Sequence, residues 1–71
     1  MVLTEKQLEV LLFIQHFIDE EGFPPSRQEI SDAFEFKGSN AAQDHLKLIE
    51  KKGYIKCHRG IARGISVIKR V

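Results

Sequence analysis

The sequence predicts a mainly α-helical fold closed by a small β-hairpin. Three observations carry that prediction. Apolar residues recur at spacings of three and four through the first two thirds of the chain, where the helical period applies. Thr4, Ser26 and Asn40 each stand three residues before Gln7, Glu29 and Gln43, the spacing at which two side chains satisfy each other's backbone amides at a helix start. Beyond Gly53 the period shortens towards alternation and is broken by glycines.

The first helix begins at Thr4. Leu8, Leu11, Leu12, Ile14, Phe17 and Ile18 form its expected inward stripe, with Glu5, Glu9, Gln15 and Asp19 on the other side. Gly22 is placed for a left-handed cap, and Phe23-Pro24-Pro25 cannot continue a helix because proline has no amide donor. Ser26 opens a second helix, expected from about Arg27 to Phe34, with Ile30, Ala33 and Phe34 inward. The segment Glu35-Phe36-Lys37-Gly38-Ser39 interrupts the pattern as a turn, with Gly38 free to adopt backbone angles that bulky residues avoid. A third helix is expected from Asn40 through Lys52, with Ala42, Leu46 and Ile49 inward and Gly53 as its stop. YIKCH and ISVIKRV, joined by RGIARG, complete a hairpin. Short gaps between elements predict a single domain over residues 1–71.

Net charge is only +1, but its distribution is uneven. Residues 1–36 carry Lys6 and Arg27 against eight acids, whereas residues 37–71 carry nine bases against Asp44 and Glu50. An anionic partner is expected to meet the second half. Cys57 is the only cysteine and cannot form an internal disulfide, which fits a reducing, cytoplasmic compartment. No apolar run approaches the ~20 residues that span a bilayer, and no membrane partner is expected. A chain of 71 residues has little room for a sheltered active site, and no motif sets Ser26, Ser31, Ser39 or Ser66 beside a histidine base. Cys57 and His58 are adjacent on a strand and point to opposite faces, so neither a metal nor another cofactor is expected.

The predicted inward stripe leaves Asn40, Ala41, Gln43, Asp44 and Lys47 at the exposed start of the third helix. Asn and Gln pair bidentately with adenine, a carboxylate accepts from cytosine N4, and the Ala41 methyl can meet that of thymine. Two successive helices across a turn put such a face in the major groove of DNA. Ser26 and Arg27 at the second helix start, Gly38 and Ser39 in the turn, and Lys47 are further candidates for backbone or turn positions. Lys37, Lys51, Lys52, Lys56, Arg59 and Arg63 stand ready for phosphates, the two arginines on the hairpin tip. Together these elements describe a winged helix-turn-helix. Two competing readings of the exposed face are an ordinary solvated surface and a winged helix that binds proteins. His45 has two readings, a phosphate contact or packing against the second helix.

In order and spacing, TEKQLEVLLFI, GFPPSRQEISDAF, SNAAQDHLKLIEKKGYI and ARGISVI resemble the N-terminal DNA-binding domain of the LexA repressor family of the bacterial SOS response. The resemblance implies a repressor of bacterial DNA-damage genes that binds palindromic operators with CTGT-type half-sites in double-stranded DNA. Asn40, Ala41, Gln43 and Asp44 then read bases, with Gly38 and Ser39 beside them and the wing on the backbone. Familiar members have Ser-Pro-Asn-Ala-Ala-Glu-Glu-His where this chain has Gly38 to His45: Gly38 has no hydroxyl, Gln43 both donates and accepts, and Asp44 is shorter than glutamate. The family also has a Ser-Lys self-cleavage domain with an Ala-Gly cleavage bond and a dimer interface. No Ala-Gly dipeptide occurs here, so this polypeptide is expected not to cleave itself, and to pair on DNA only through a further domain or by cooperative half-site binding.

Overall fold

Paired side chains at the helix starts set the register of the first two helices. In a computed structural model describing residues 2–71, α1 spans Glu5–Glu21 and α2 spans Arg27–Phe34. Thr4 with Gln7 and Ser26 with Glu29 form complete capping boxes: each hydroxyl accepts the amide three residues on, while the amide or carboxylate side chain accepts from the capping residue's own N–H. Gly22 ends α1 in the left-handed conformation and donates its N–H to the Ile18 carbonyl. Then come α3 (Ser39–Lys51), β1 (Ile55–Cys57) and β2 (Ile65–Val67). The strands pair antiparallel with Lys56 opposite Ser66, and backbone bonds at Tyr54 and His58 extend the ladder by one step at each end. The architecture is mainly α with a small hairpin, as the sequence predicts.

The core gathers one face from every element: Val10, Leu11 and Ile14 of α1, Ile30 of α2, Ala42, Leu46 and Ile49 of α3, and Ile55 and Ile65 of the hairpin. Two expectations about inward faces are corrected. Leu8 and Leu12 are 38% and 44% exposed, and Val10 is buried in their stead. At 100° per residue the buried arc of α1 comprises Gln7, Val10, Leu11, Ile14 and Gln15, the last expected on the outward side, and Leu8 and Leu12 fall just beyond its edge. On α2, Ala33 is exposed and Ser31 is buried.

Three polar side chains enter the interior, and each joins distant parts of the chain. Gln7 Oε1 accepts from the Lys52 ammonium at 2.5 Å as well as from the Thr4 amide, linking α1 to the end of α3. Gln15 donates to the Val71 carbonyl and accepts from its N–H, holding the last residues against α1, where Arg70 and Asp19 form an ion pair. Ser31 donates its hydroxyl to the Gly38 carbonyl at 2.9 Å. A buried polar atom without such a partner costs about 1–3 kcal/mol, so these bonds specify how the elements meet.

Candidate nucleic-acid interface

The start of α3 is built by the turn before it. Glu35 ends α2 at φ 58°, and the chain corners at Gly38 with φ 80° and ψ 168°. Those angles lie where only glycine is comfortable, because a β-carbon would crowd the backbone. The Ser31 hydroxyl and the Phe36 N–H to Ser31 carbonyl bond, 2.9 Å, tie both ends of this turn to α2. Phe36 stacks on Phe34 of α2 at 5.6 Å and on His45 of α3 at 5.0 Å. Beyond Phe34 the ring contacts continue through Phe13, Phe17 and Phe23, so all five phenylalanines and His45 form one chain of rings. His45 packs on Phe36 of the turn, with its Nδ1 buried and without a protein partner among the described residues.

The N-cap is therefore Gly38, and the expected Asn40–Gln43 capping pair does not form. A helix that begins at Ser39 puts Asn40 inside its first turn, and no side chain caps its amides. Asn40 and Asp44 are exposed, Ala41 and Gln43 half-buried, and Lys47 exposed one turn further along. The inward stripe Ala42, Leu46 and Ile49 is fully buried on the opposite side. All four base-reading candidates thus share the outward, N-terminal part of α3.

The backbone candidates divide into two groups. Lys47 and Arg59, like Lys37, Lys51 and Lys56, are exposed and have no ion-pair or hydrogen-bond partner among the described residues. Ser26 uses its hydroxyl in the α2 cap, and Arg27 donates from Nε to Gln43 Oε1. Lys52 reaches the Val2 carbonyl at 2.8 Å and Gln7, at the end of α3 remote from Asn40. Arg63 forms two bonds to the Glu29 carboxylate, 2.5 and 3.1 Å, donates to the Pro24 carbonyl at 3.0 Å, and lies over the Phe23 ring at 4.7 Å. The guanidinium beside Glu29 and the Ser26 amide lower the carboxyl pKa to about 2 from its ordinary value of 4.5. Sequence reading paired Arg63 with Arg59 as two free guanidinium groups on the tip; the structure uses Arg63 to hold the hairpin against the start of α2.

The hairpin itself closes on Gly64. His58 donates to the Gly64 carbonyl at 2.7 Å and Gly64 to the Ile61 carbonyl at 3.1 Å, which leaves Arg59 and Ile61 exposed at the tip. A β-carbon on Gly64 would stand 2.5 Å from the His58 carbonyl oxygen, so this close approach requires glycine. The described residues enclose no pocket and bring no group of three or more potential metal ligands together. No helix is long and apolar enough to cross a membrane.

A helix whose outward start carries amides and a carboxylate, fixed by a turn to a preceding helix and flanked by a two-stranded wing, is the reading unit of the winged helix-turn-helix class. Within that class the chain belongs to the LexA family: residues 1–64 match the family described as the LexA DNA binding domain. It is 48% identical over its whole length to the LexA repressor of Dechloromonas aromatica, of which it covers 35%. Against the LexA repressor of Marinomonas sp. identity is 48% over 96% of this chain and 33% of that protein. Against that of Haemophilus ducreyi it is 46% over 93% and 31%. The chain spans about a third of the length of these relatives.

Proposed function

We propose that this chain recognises one half of a palindromic operator in double-stranded DNA as the reading domain of a repressor of bacterial DNA-damage genes, with CTGT-type half-sites as its targets. The observation that carries the reading is the start of α3: Asn40 and Asp44 are exposed and Ala41 and Gln43 half-exposed on one face, while Ala42, Leu46 and Ile49 seal the other. Inserted in the major groove, Asn40 addresses adenine, Asp44 a base amino group, and Ala41 a thymine methyl. The uncapped α3 amides, Ser39, Lys47 and the wing residue Arg59 lie towards phosphates. One module covers one half-site, so two copies meet on the palindrome either by cooperative binding or through regions outside the matched third of the relatives. Such a domain acts at the bacterial nucleoid, in the cytoplasm.

The test is a fluorescence anisotropy titration of a duplex carrying a CTGT-type palindrome and of a scrambled duplex, at several salt concentrations. Tighter binding to the palindrome is expected. Asn40→Ala is expected to remove about 1–3 kcal/mol of that binding and to leave scrambled binding nearly unchanged. Equal losses on both duplexes would reject base reading by Asn40. Equal, salt-sensitive binding by the unaltered chain would place its preference on another sequence, and absence of binding to either would overturn the proposal.

A further inference from the structure

We infer that Arg27 fixes the polarity of Gln43, so that this residue presents its amide N–H2 group to the major groove and selects an accepting base edge, excluding cytosine there. The inference rests on the reading that the start of α3 enters the major groove. An arginine side chain has five N–H donors and no acceptor. The Gln43 atom that faces Arg27 Nε must then be the oxygen, since the reverse orientation would set two donors against each other. Gln43 Nε2 has no protein partner among the described residues. With Oε1 occupied, the free face of Gln43 is a donor only.

Arg27 is itself held from more than one side. It is the first residue of α2, its guanidinium bonds Gln43 on α3, and its charge acts on nearby Cys57 of β1. Burial and the nearby Glu50 carboxylate raise the Cys57 pKa, and the positive charge of Arg27 opposes them. Three elements thus converge on one half-buried guanidinium, and turning the Gln43 amide over would break that convergence. Arg27 acts as a positioning residue and Gln43 as the reader.

The consequence for bases follows from the major-groove edges. Guanine offers O6 and N7, thymine O4 and adenine N7 as acceptors, whereas cytosine offers the N4 donor. Next along the helix, exposed Asp44 is an acceptor and seeks a base amino group, so adjacent residues read with opposite polarity.

A pool of duplexes with randomised base pairs, selected at low salt by the unaltered chain, by Gln43→Glu and by Arg27→Ala and then sequenced, tests the inference. Circular dichroism reports folding of each variant. One base position is expected to discriminate against cytosine by about five- to tenfold with the unaltered chain. Gln43→Glu, an acceptor only, reverses that preference towards cytosine at the same position, and Arg27→Ala relaxes it because the freed amide can present either group. If Arg27→Ala does not fold, the contrast between Gln43→Glu and Gln43→Leu decides: Gln43→Leu should flatten the position without reversing it. Selection of a defined site that Gln43→Glu leaves unaltered, or a cytosine preference already present at the position it alters, would overturn the polarity while leaving base reading intact. Recovery of no site by the unaltered chain would overturn the major-groove reading and the inference with it.

Discussion

Gly38→Ala isolates the contribution of one backbone corner to the placement of α3. At φ 80° and ψ 168° Gly38 occupies a region that other residues enter at a cost of about 1–3 kcal/mol. No heavy atom would lie within 4 Å of an added β-carbon beyond its immediate neighbours, so the cost is conformational rather than a clash. The alanine chain is also stiffer when unfolded, which offsets about 0.4–1 kcal/mol and leaves a net loss of about 1–2 kcal/mol. For a chain of this size each kcal/mol lowers Tm by about 4–8 °C, so thermal unfolding followed by circular dichroism should show a fall of about 4–16 °C. Gly38→Ser, which supplies the hydroxyl of the familiar family arrangement, should fall less, since an N-cap side chain contributes about 0.5–2 kcal/mol. The expected order is glycine, serine, alanine. An alanine variant that melts within about 2 °C of the unaltered chain would show that the corner relaxes at no cost, and the reasoning from φ would be wrong.

Ser31→Ala leaves the Gly38 carbonyl without the buried hydroxyl that serves it, and is expected to lower stability by about 1–3 kcal/mol in the same assay; a change under about 0.5 kcal/mol would mean that another donor takes over. The Glu29–Arg63 pair gives stability a defined pH dependence. Because the folded carboxyl titrates at about 2 and an ordinary one at 4.5, the pair's stabilisation is present above 4.5 and is lost as pH falls towards 2. Glu29→Gln keeps a capping-box side chain but should shrink the difference in Tm between pH 7 and pH 3, and an unchanged difference would assign that pH dependence to other groups. With Lys37, Lys47, Lys51, Lys56 and Arg59 as the basic residues without a partner among the described residues, the slope of log binding constant against log salt should not exceed about −4.5 per bound chain. A slope near −8 would show that the paired cations leave their partners to meet phosphate.

What was legible in the sequence was mostly local. The Thr4–Gln7 and Ser26–Glu29 boxes act over three residues, so the starts of α1 and α2 could be read directly. The same rule misread Asn40 and Gln43, because the corner at Gly38 begins α3 earlier and Arg27, sixteen residues before Gln43, claims its side chain. Leu8 and Leu12 fit a three-and-four spacing, but spacing alone does not reveal which of two adjacent apolar arcs the core will cover. Gln15 was read as outward by type, yet it, Gln7 and Ser31 are buried because partners elsewhere in the chain satisfy them. The base-reading candidates were legible as a group because the buried stripe Ala42, Leu46 and Ile49 fixes the opposite face. Their individual polarities were not, since these depend on neighbours from another helix.

The uneven charge along the chain has two physical uses. Read as sequence, the excess of bases after residue 36 was a field for an anion. In the folded chain Arg63 and Arg70 instead pair with Glu29 and Asp19, and Lys52 bonds to Gln7 and the Val2 carbonyl, so part of that excess fastens the second half to the first. Exposed pairs of this kind contribute little stability each, and their larger effect is on position: Arg63 sets the wing beside the start of α2, and Lys52 sets the far end of α3 against α1. The cations left over include exposed Lys47 on α3 and exposed Arg59 at the wing tip. Opposite charge in the two halves therefore fastens α3 and the wing in place while leaving a smaller set of exposed cations in the second half, which is why a chain of nearly zero net charge can still be suited to a polyanion.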